Sequence, residues 1–256
     1  MDSPYILEET ENFAVVFKPP KMHSSLQNSK QITNNKEQRT NLHEWYAKLF
    51  PSVFDIMHRL DFETHGLVLF AKNEKSYLFF KNAQKNGNFI KEYSAICNPI
   101  IEQKTSSFLT SDSSVLKGFP SCPDINYNTP FLIESYFRPY GPGRKLVRPV
   151  IEDGKKHKET AKDNGGFYST EIINKNVNAF TVRIKRGFRH QIRCHLCWIG
   201  FPIKNDPLYL YNENDENETV APNAVMALRA HALFFPDPAG GKQLEFRIEG
   251  LEKDDF

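Results

Sequence analysis

The stretch His58-Arg59-Leu60-Asp61-Phe62-Glu63-Thr64-His65-Gly66, running on into Leu67-Val68-Leu69-Phe70-Ala71, decides the fold class and points to the chemistry. The five apolar residues after Gly66 are too few for a core helix and describe a strand packed on both faces. Asp61 therefore sits between an arginine and a turn-forming glycine, on the loop that feeds a rigid element. Loops held in this way present catalytic and binding side chains in fixed positions.

Upstream, Phe13-Ala14-Val15-Val16-Phe17 predicts a second buried strand, stopped by Lys18-Pro19-Pro20 because proline lacks a ladder donor and biases its predecessor to extended geometry. Residues 24–40, rich in Ser, Gln, Asn and Lys, show no periodicity and suggest a mobile surface segment. Asn41 with Glu44 predicts a helix start, with Leu42, Trp45, Tyr46 and Leu49 on one face. Asn73 predicts the cap of a helix through about Gln84, with Tyr77 and Phe80 inward and Gly87 past its end. A strand is expected over residues 91–97, where Tyr93, Ala95 and Cys97 share a face. Residues 99–130 read as an irregular connection. Ala179 to Lys185 alternates Phe180, Val182 and Ile184 with Thr181, Arg183 and Lys185, a strand with one apolar and one wet, basic face. From His190 the spacing turns helical, Ile192, Leu196 and Ile199 forming the inner stripe and Gly200 the end, so that Arg189 and Arg193 project from nearly the same side. Ala232 to Phe235 and Leu244 to Ile248 flank a Pro- and Gly-rich turn and predict a hairpin. Strands dominate, with short helices between them. The expected fold class is α+β, a central mixed, largely antiparallel β-sheet flanked by short helices and loops.

At 256 residues the chain has length for one large domain or two small ones. No linker-like composition divides it and no internal repeat occurs, so a single domain over 1–256 is expected. The first residues carry neither a basic nor an apolar signal region, and the apolar runs are strand-length, which argues against export and membrane insertion. Four cysteines are too few for a disulfide scaffold and point to a reducing, cytoplasmic setting. A net charge of +2 and a pI near 8.2 do not announce a nucleic-acid partner, so the distribution of charge has to carry that argument. Arg183, Lys185, Arg186, Arg189 and Arg193 follow one another with no acid among them. A second basic stretch holds Arg138, Arg144, Lys145, Arg148, Lys155, Lys156 and Lys158, while acids gather in the loop at 211–222 and at the carboxyl end.

Three local patterns stand together: Asp61 in His-Arg-Leu-Asp-x-x-Thr, Tyr93 in Lys-x-Tyr, and Arg193 in His-Gln-Ile-Arg-x-His. With Phe13 to Pro20 at the start and Gly200-Phe201-Pro202-Ile203-Lys204-Asn205-Asp206-Pro207-Leu208-Tyr209 at the end, the order and spacing resemble the RluA family of pseudouridine synthases over most of the chain. The resemblance implies the pseudouridine synthase fold, and an enzyme that isomerises uridine in structured transfer or ribosomal RNA without metal, nucleotide or redox cofactor. Because the first strand begins so near the start of the sequence, a stand-alone catalytic domain is expected, without the amino-terminal S4 domain that many relatives carry, and a monomer is expected.

By that resemblance Asp61 is the catalytic aspartate. Attack on the sugar, attack on the base and assistance to glycal formation all stay open at this point. Arg193 corresponds to the cation paired with that carboxylate, which would favour its charged form. Tyr93 corresponds to the tyrosine that stacks on the target base and is a candidate proton acceptor late in the reaction. The target uridine must leave its stack, and Arg59 corresponds to the arginine that fills the vacated space. His58, Thr64, Arg144, Lys145, Arg189, His190 and Gln191 are the further RNA-binding candidates, with Arg144 to Lys158 resembling the family's RNA-contacting loop and Arg183 and Lys185 extending that surface. Cys194 and Cys197 with His190 and His195 lack a second ligand pair at useful spacing for zinc. Two departures bear on the pocket and on substrate choice: Thr64-His65-Gly66 where the family has Thr-Ser-Gly, and Arg186-Gly187-Phe188-Arg189 where it has Thr-Gly-Arg-Thr. The rival classes are an RNA-binding or ribosome-assembly protein without catalysis, and a hydrolase pairing Asp61 with Glu63 as acid and base.

Overall fold

In a computed structural model of the protein, the residues described are 3–25, 40–98, 118–151, 167–209, 220–221 and 223–251. Most of the segments expected at 24–40, 99–130 and 211–222, and Lys155, Lys156 and Lys158, lie outside them. In chain order the elements are β1 (Tyr5–Glu9), β2 (Phe13–Lys18), α1 (Leu42–Leu49), β3 (Asp55–Ile56), β4 (His65–Ala71), α2 (Glu74–Lys85), β5 (Ile90–Ile96), β6 (Phe131–Tyr140), β7 (Leu146–Val150), β8 (Tyr168–Asn176), β9 (Ala179–Ile184), α3 (Gln191–Trp198), β10 (Leu228–Pro236) and β11 (Gln243–Arg247). They fall into two compact units, residues 1–91 with 229–250, and residues 92–228 with 251–256.

In the first unit β2 and β4 are buried along their whole length, as their uninterrupted apolar runs require. They pair antiparallel, with β1 outside β2 and β10 parallel to β4 on the other side; β11 folds back on β10 as the expected hairpin. One face of β2 and β4 meets a phenylalanine-rich core in which Phe235 lies edge-on to Phe13 at 5.3 Å and to Phe80 of α2 at 5.4 Å. Their other face receives α1, whose Tyr46 ring lies 4.7 Å from Phe70. Both helices begin where expected: the Asn41 side chain accepts from the Glu44 amide, and Asn73 and Ser76 close a capping box. The inner face of α1 is narrower than its sequence suggested, because Leu42 and Tyr46 are buried while Leu49 stays 53% exposed.

The second unit runs β5-β9-β8-β6-β7. The pairings β9–β8, β8–β6 and β6–β7 are antiparallel, so the mixed, largely antiparallel α+β fold is borne out. Strand β7 occupies a third of the segment, 144–158, expected to be an RNA-contacting loop. Its Val147 and Pro149 are buried while Leu146, Arg148 and Val150 face outward, and a proline is tolerated because β7 is the edge strand. Helix α3 is buried on every side rather than along one stripe. It starts only at Gln191, because His190 is left-handed at φ 56°, so Arg189 lies before the helix and does not share a side with Arg193.

The β8–β9 turn places the β-branched Val177 at φ 51°, with its side chain 66% exposed. A valine there is strained and buries nothing. Val177→Asn is expected to stabilise the protein by about 1 kcal/mol, since asparagine tolerates the left-handed region. Equilibrium urea unfolding of the two proteins measures the gain, and an unchanged midpoint would show that the turn carries no strain.

Candidate active site

Strand β2 ends in Lys18, which is fully buried. Its ammonium donates to the carbonyls of Pro19 at 2.9 Å, Met22 at 2.8 Å and Phe62 at 3.4 Å, tying the turn after β2 to the residue following Asp61. Ser24 adds a reciprocal pair with Leu60: its hydroxyl donates to the Leu60 carbonyl and accepts from the Leu60 amide, both at 3.0 Å. The rings of His23 and Phe62 lie 4.7 Å apart, and the Thr64 amide closes a turn onto the Asp61 carbonyl at 3.2 Å. The Asp61 backbone is thus bracketed on both sides. Gly66 completes the anchorage at φ 123°, where an added Cβ would sit 2.2 Å from the Ala230 carbonyl oxygen of β10. Only glycine permits β4 and β10 to approach so closely.

Burial pushes the Lys18 ammonium down to a pKa of about 7, against the opposing pull of the Asp61 and Glu63 carboxylates. Unfolded, this lysine keeps its proton up to its ordinary value, so between about pH 7 and pH 10 the unfolded chain binds more protons there and stability rises with pH. Lys18→Met removes that dependence. The stability of the parent minus that of the variant is expected to climb with pH across this window, by up to about 1.4 kcal/mol per unit. Urea melts of both proteins at pH 7 and pH 9 measure it; parallel curves would mean that Lys18 titrates normally.

The remaining candidates in this unit fall into different settings. His58 bonds the Leu67 carbonyl through Nε2 at 3.3 Å, which requires a proton on that nitrogen, and packs on Phe89 at 5.3 Å. Burial and the neighbouring Lys91 hold its pKa down at about 3, so His58 is neutral and braces β4. Arg59 is exposed, while Thr64 and His65 are buried, His65 with its ring edge toward Phe17 at 6.5 Å. The histidine that departs from the family pattern is therefore a core residue at the start of β4.

In the second unit Tyr93 is buried within β5. Arg193 is 2% exposed and forks onto Asp206, Nε to Oδ2 and Nη2 to Oδ1, each at 2.7 Å. Oδ1 also accepts from the amides of Leu208 at 2.8 Å and Tyr209 at 3.1 Å. Burial alone would raise the pKa of Asp206, but the Arg193 charge and these bonds outweigh it and hold the carboxyl below its ordinary value. The Tyr209 hydroxyl donates to the Val147 carbonyl and accepts the Val147 amide, linking this cluster to β7, and meets His190 Nδ1 at 3.3 Å. Gln191 is buried, its amide bonded to Phe188, Ser169 and Thr170. His195, also buried, bridges the hydroxyls of Ser135 and Thr170 at 2.9 and 2.8 Å. Burial keeps it neutral, with a pKa of about 3. Arg144, Lys145 and Arg189 come together at the surface, where Arg189 donates to the carbonyls of Arg144 and Leu146. Arg183, expected on a wet face, is instead part-buried against Glu92 at 2.8 Å.

Sequence reasoning missed three contributors. Lys18 was visible only as the residue before Pro19. Asp206 and Tyr209 were visible as members of the carboxyl-terminal motif, without the partners that give them a role. The first unit supplies a loop-borne carboxylate on a rigid backbone. The second supplies a buried arginine of fixed direction and, separately, an exposed cationic surface suited to a large anionic partner.

A sequence profile described as RNA pseudouridylate synthase matches residues 12–198. An uncharacterized protein of Caenorhabditis elegans is 29% identical over 216 residues, covering 80% of this chain and 38% of that protein. An uncharacterized RNA pseudouridine synthase of Helicobacter pylori is 26% identical over 210 residues, covering 82% of this chain and 64% of that protein. The chain thus spans less than two thirds of the length of both relatives. Among solved structures, human RNA Pseudouridylate Synthase Domain Containing 1 shares the fold, with a TM-score of 0.63 at 17% identity over 96% of this chain and 83% of that one.

Proposed function

Because the chain belongs to the RNA pseudouridylate synthase family, we propose that it isomerises specific uridines of a structured transfer or ribosomal RNA to pseudouridine, with Asp61 as the catalytic carboxylate. The observation that supports this most is the anchorage of the Asp61 loop by Lys18 and Ser24, which holds a carboxylate-bearing backbone still without consuming its function. The uridine is flipped from its stack, and the exposed Arg59 takes the vacated place. The Asp61 carboxylate promotes cleavage of the bond between the base nitrogen and the ribose. The detached uracil turns, its C5 joins the ribose, the C5 proton leaves to a base, for which Tyr93 is the candidate, and N1, released from the ribose, takes up a proton. Substrate and product share one formula, so the reaction needs neither oxidant nor reductant. In the same reading Arg193 serves the reaction as its fixed cation, and Arg144, Lys145, Arg189 and His190 hold RNA by its phosphates.

A reducing, cytoplasmic setting belongs to the same proposal and is supported by Cys97, Cys122, Cys194 and Cys197 all being free thiols. Among the described residues no helix is long and apolar enough to cross a membrane.

The test uses total RNA from cells lacking the gene, incubated with the purified protein and digested to nucleosides. Carbon-linked uridine above the no-enzyme level is expected, mapping to a few defined positions. Binding without any conversion would favour the non-catalytic RNA binder, and release of free uracil the hydrolase.

A further inference from the structure

Beyond Arg144 and Lys145, the β6–β7 ribbon carries cationic and aromatic residues on its outer face to which the proposed isomerisation gives no role. Residues 135–151 contain Arg138, Arg144, Lys145 and Arg148 and no acid. In the β6–β7 register Arg138 stands directly opposite Arg148, flanked by Tyr136 opposite Val150 and Tyr140 opposite Leu146. Opposed residues of an antiparallel ladder share a face, so both arginines project from the same side of the ribbon, like charges on opposed positions that cost stability unless an anion comes between them. Among the described residues neither meets a carboxylate. Arg148 donates to the Gly118 carbonyl and lies over the Tyr140 ring at 5.5 Å, which orients it without neutralising it. At the other end of the ribbon Phe167 stacks on Tyr136 with centroids 4.5 Å apart and interplanar angle 30°, yet stays 45% exposed. The opposite face of β6 is committed to the core, where Phe137 stacks against Phe188 and His195.

An exposed aromatic ring beside an arginine pair that meets no carboxylate among the described residues matches the two repeating parts of an unpaired nucleic-acid strand, a π-face and a phosphate. Duplex RNA offers the phosphates but keeps its bases inside the stack. We infer that the outer face of β6–β7 binds an unpaired stretch of the RNA substrate, with one backbone phosphate between Arg138 and Arg148 and one base stacked on Phe167. This rests on the RNA-modifying reading above and narrows it: the substrate carries single-stranded nucleotides near the modified site, as a loop does.

The test is fluorescence anisotropy of the full chain with a labelled decauridylate and with an RNA duplex of equal length, across a salt series. Phe167→Ala is expected to weaken decauridylate binding about tenfold with unchanged salt dependence, to spare the duplex, and to be rescued by Phe167→Trp. Arg138→Ala with Arg148→Ala is expected to lower the slope of log affinity against log salt by about 0.7 for the phosphate released. Circular dichroism melts of each variant confirm folding. Unchanged decauridylate binding in the Phe167 variant, or equal loss for duplex and single strand, would overturn the inference. The conversion assay is independent of this result: variants that lose decauridylate affinity in a protein that converts no uridine leave the binding face intact and remove the synthase reading, while conversion with no effect of these substitutions does the reverse.

Discussion

Asp61→Asn is expected to reduce pseudouridine formation by about a thousandfold or more, while RNA affinity and melting temperature stay near those of the parent. The amide keeps the shape of the carboxylate but is neither nucleophile nor base, so chemistry stops before the glycosidic bond breaks. The loop itself is held by backbone carbonyls and by the Leu60 amide, through Lys18 and Ser24, and these bonds do not involve the Asp61 carboxylate. A second readout separates this outcome from misfolding. The Asp61 charge raises the Lys18 pKa, so its removal lowers that pKa below about 7. The pH-dependent part of stability due to Lys18 then begins at lower pH, which unfolding curves from pH 5 to 8 register. Activity within tenfold of the parent would sink the assignment of Asp61.

The fold was legible wherever local chemistry and hydrophobic period agreed. Asn41, Asn73 and the turn at residues 236–241 mark their elements by capping and turn chemistry, and β2 and β4 declare themselves as apolar runs with no room for a helix. Strand β6 escaped because its outward face carries Leu132, Tyr136 and Tyr140, so that aromatic and aliphatic residues lie on both sides and the two-residue alternation vanishes. Helix α3 was found but misjudged: an amphipathic pattern was expected, whereas Gln191, Arg193 and His195 are all buried because each has polar partners in other elements. Such partners are invisible to periodicity. Lys18 hid for the same reason, since a lysine at a strand end ordinarily extends to water, and nothing local reveals three carbonyls arranged around it. At the candidate site the motif residues were readable one by one, but not the bonds that position them.

The Arg193–Asp206 fork is where that positioning is expected to be most costly to break. In Asp206→Asn the amide nitrogen must replace one carboxylate oxygen. If Oδ1 keeps its bonds to Leu208, Tyr209 and Arg193 Nη2, an N–H then opposes Arg193 Nε–H, donor against donor. A guanidinium only 2% exposed loses the carboxylate on which it forks, and breaking one buried pair in this way typically costs about 3–5 kcal/mol. The pH dependence follows from the depressed pKa of Asp206. The carboxylate's contribution is complete above its ordinary value near 3.8 and is lost as pH falls through the lower folded value. The deficit of the asparagine variant relative to the parent should therefore be full at pH 7 and shrink in acid below about pH 4. Replacing both partners by apolar residues of similar volume, Arg193→Met with Asp206→Leu, removes both buried charges and is expected to recover most of the stability, since a buried ion pair contributes little over a packed apolar pair. Conversion of uridine should not recover with it. A double variant that regains both stability and activity would show that Arg193 is a structural residue alone, and an asparagine variant as stable as the parent would show that the fork does not hold this part of the molecule.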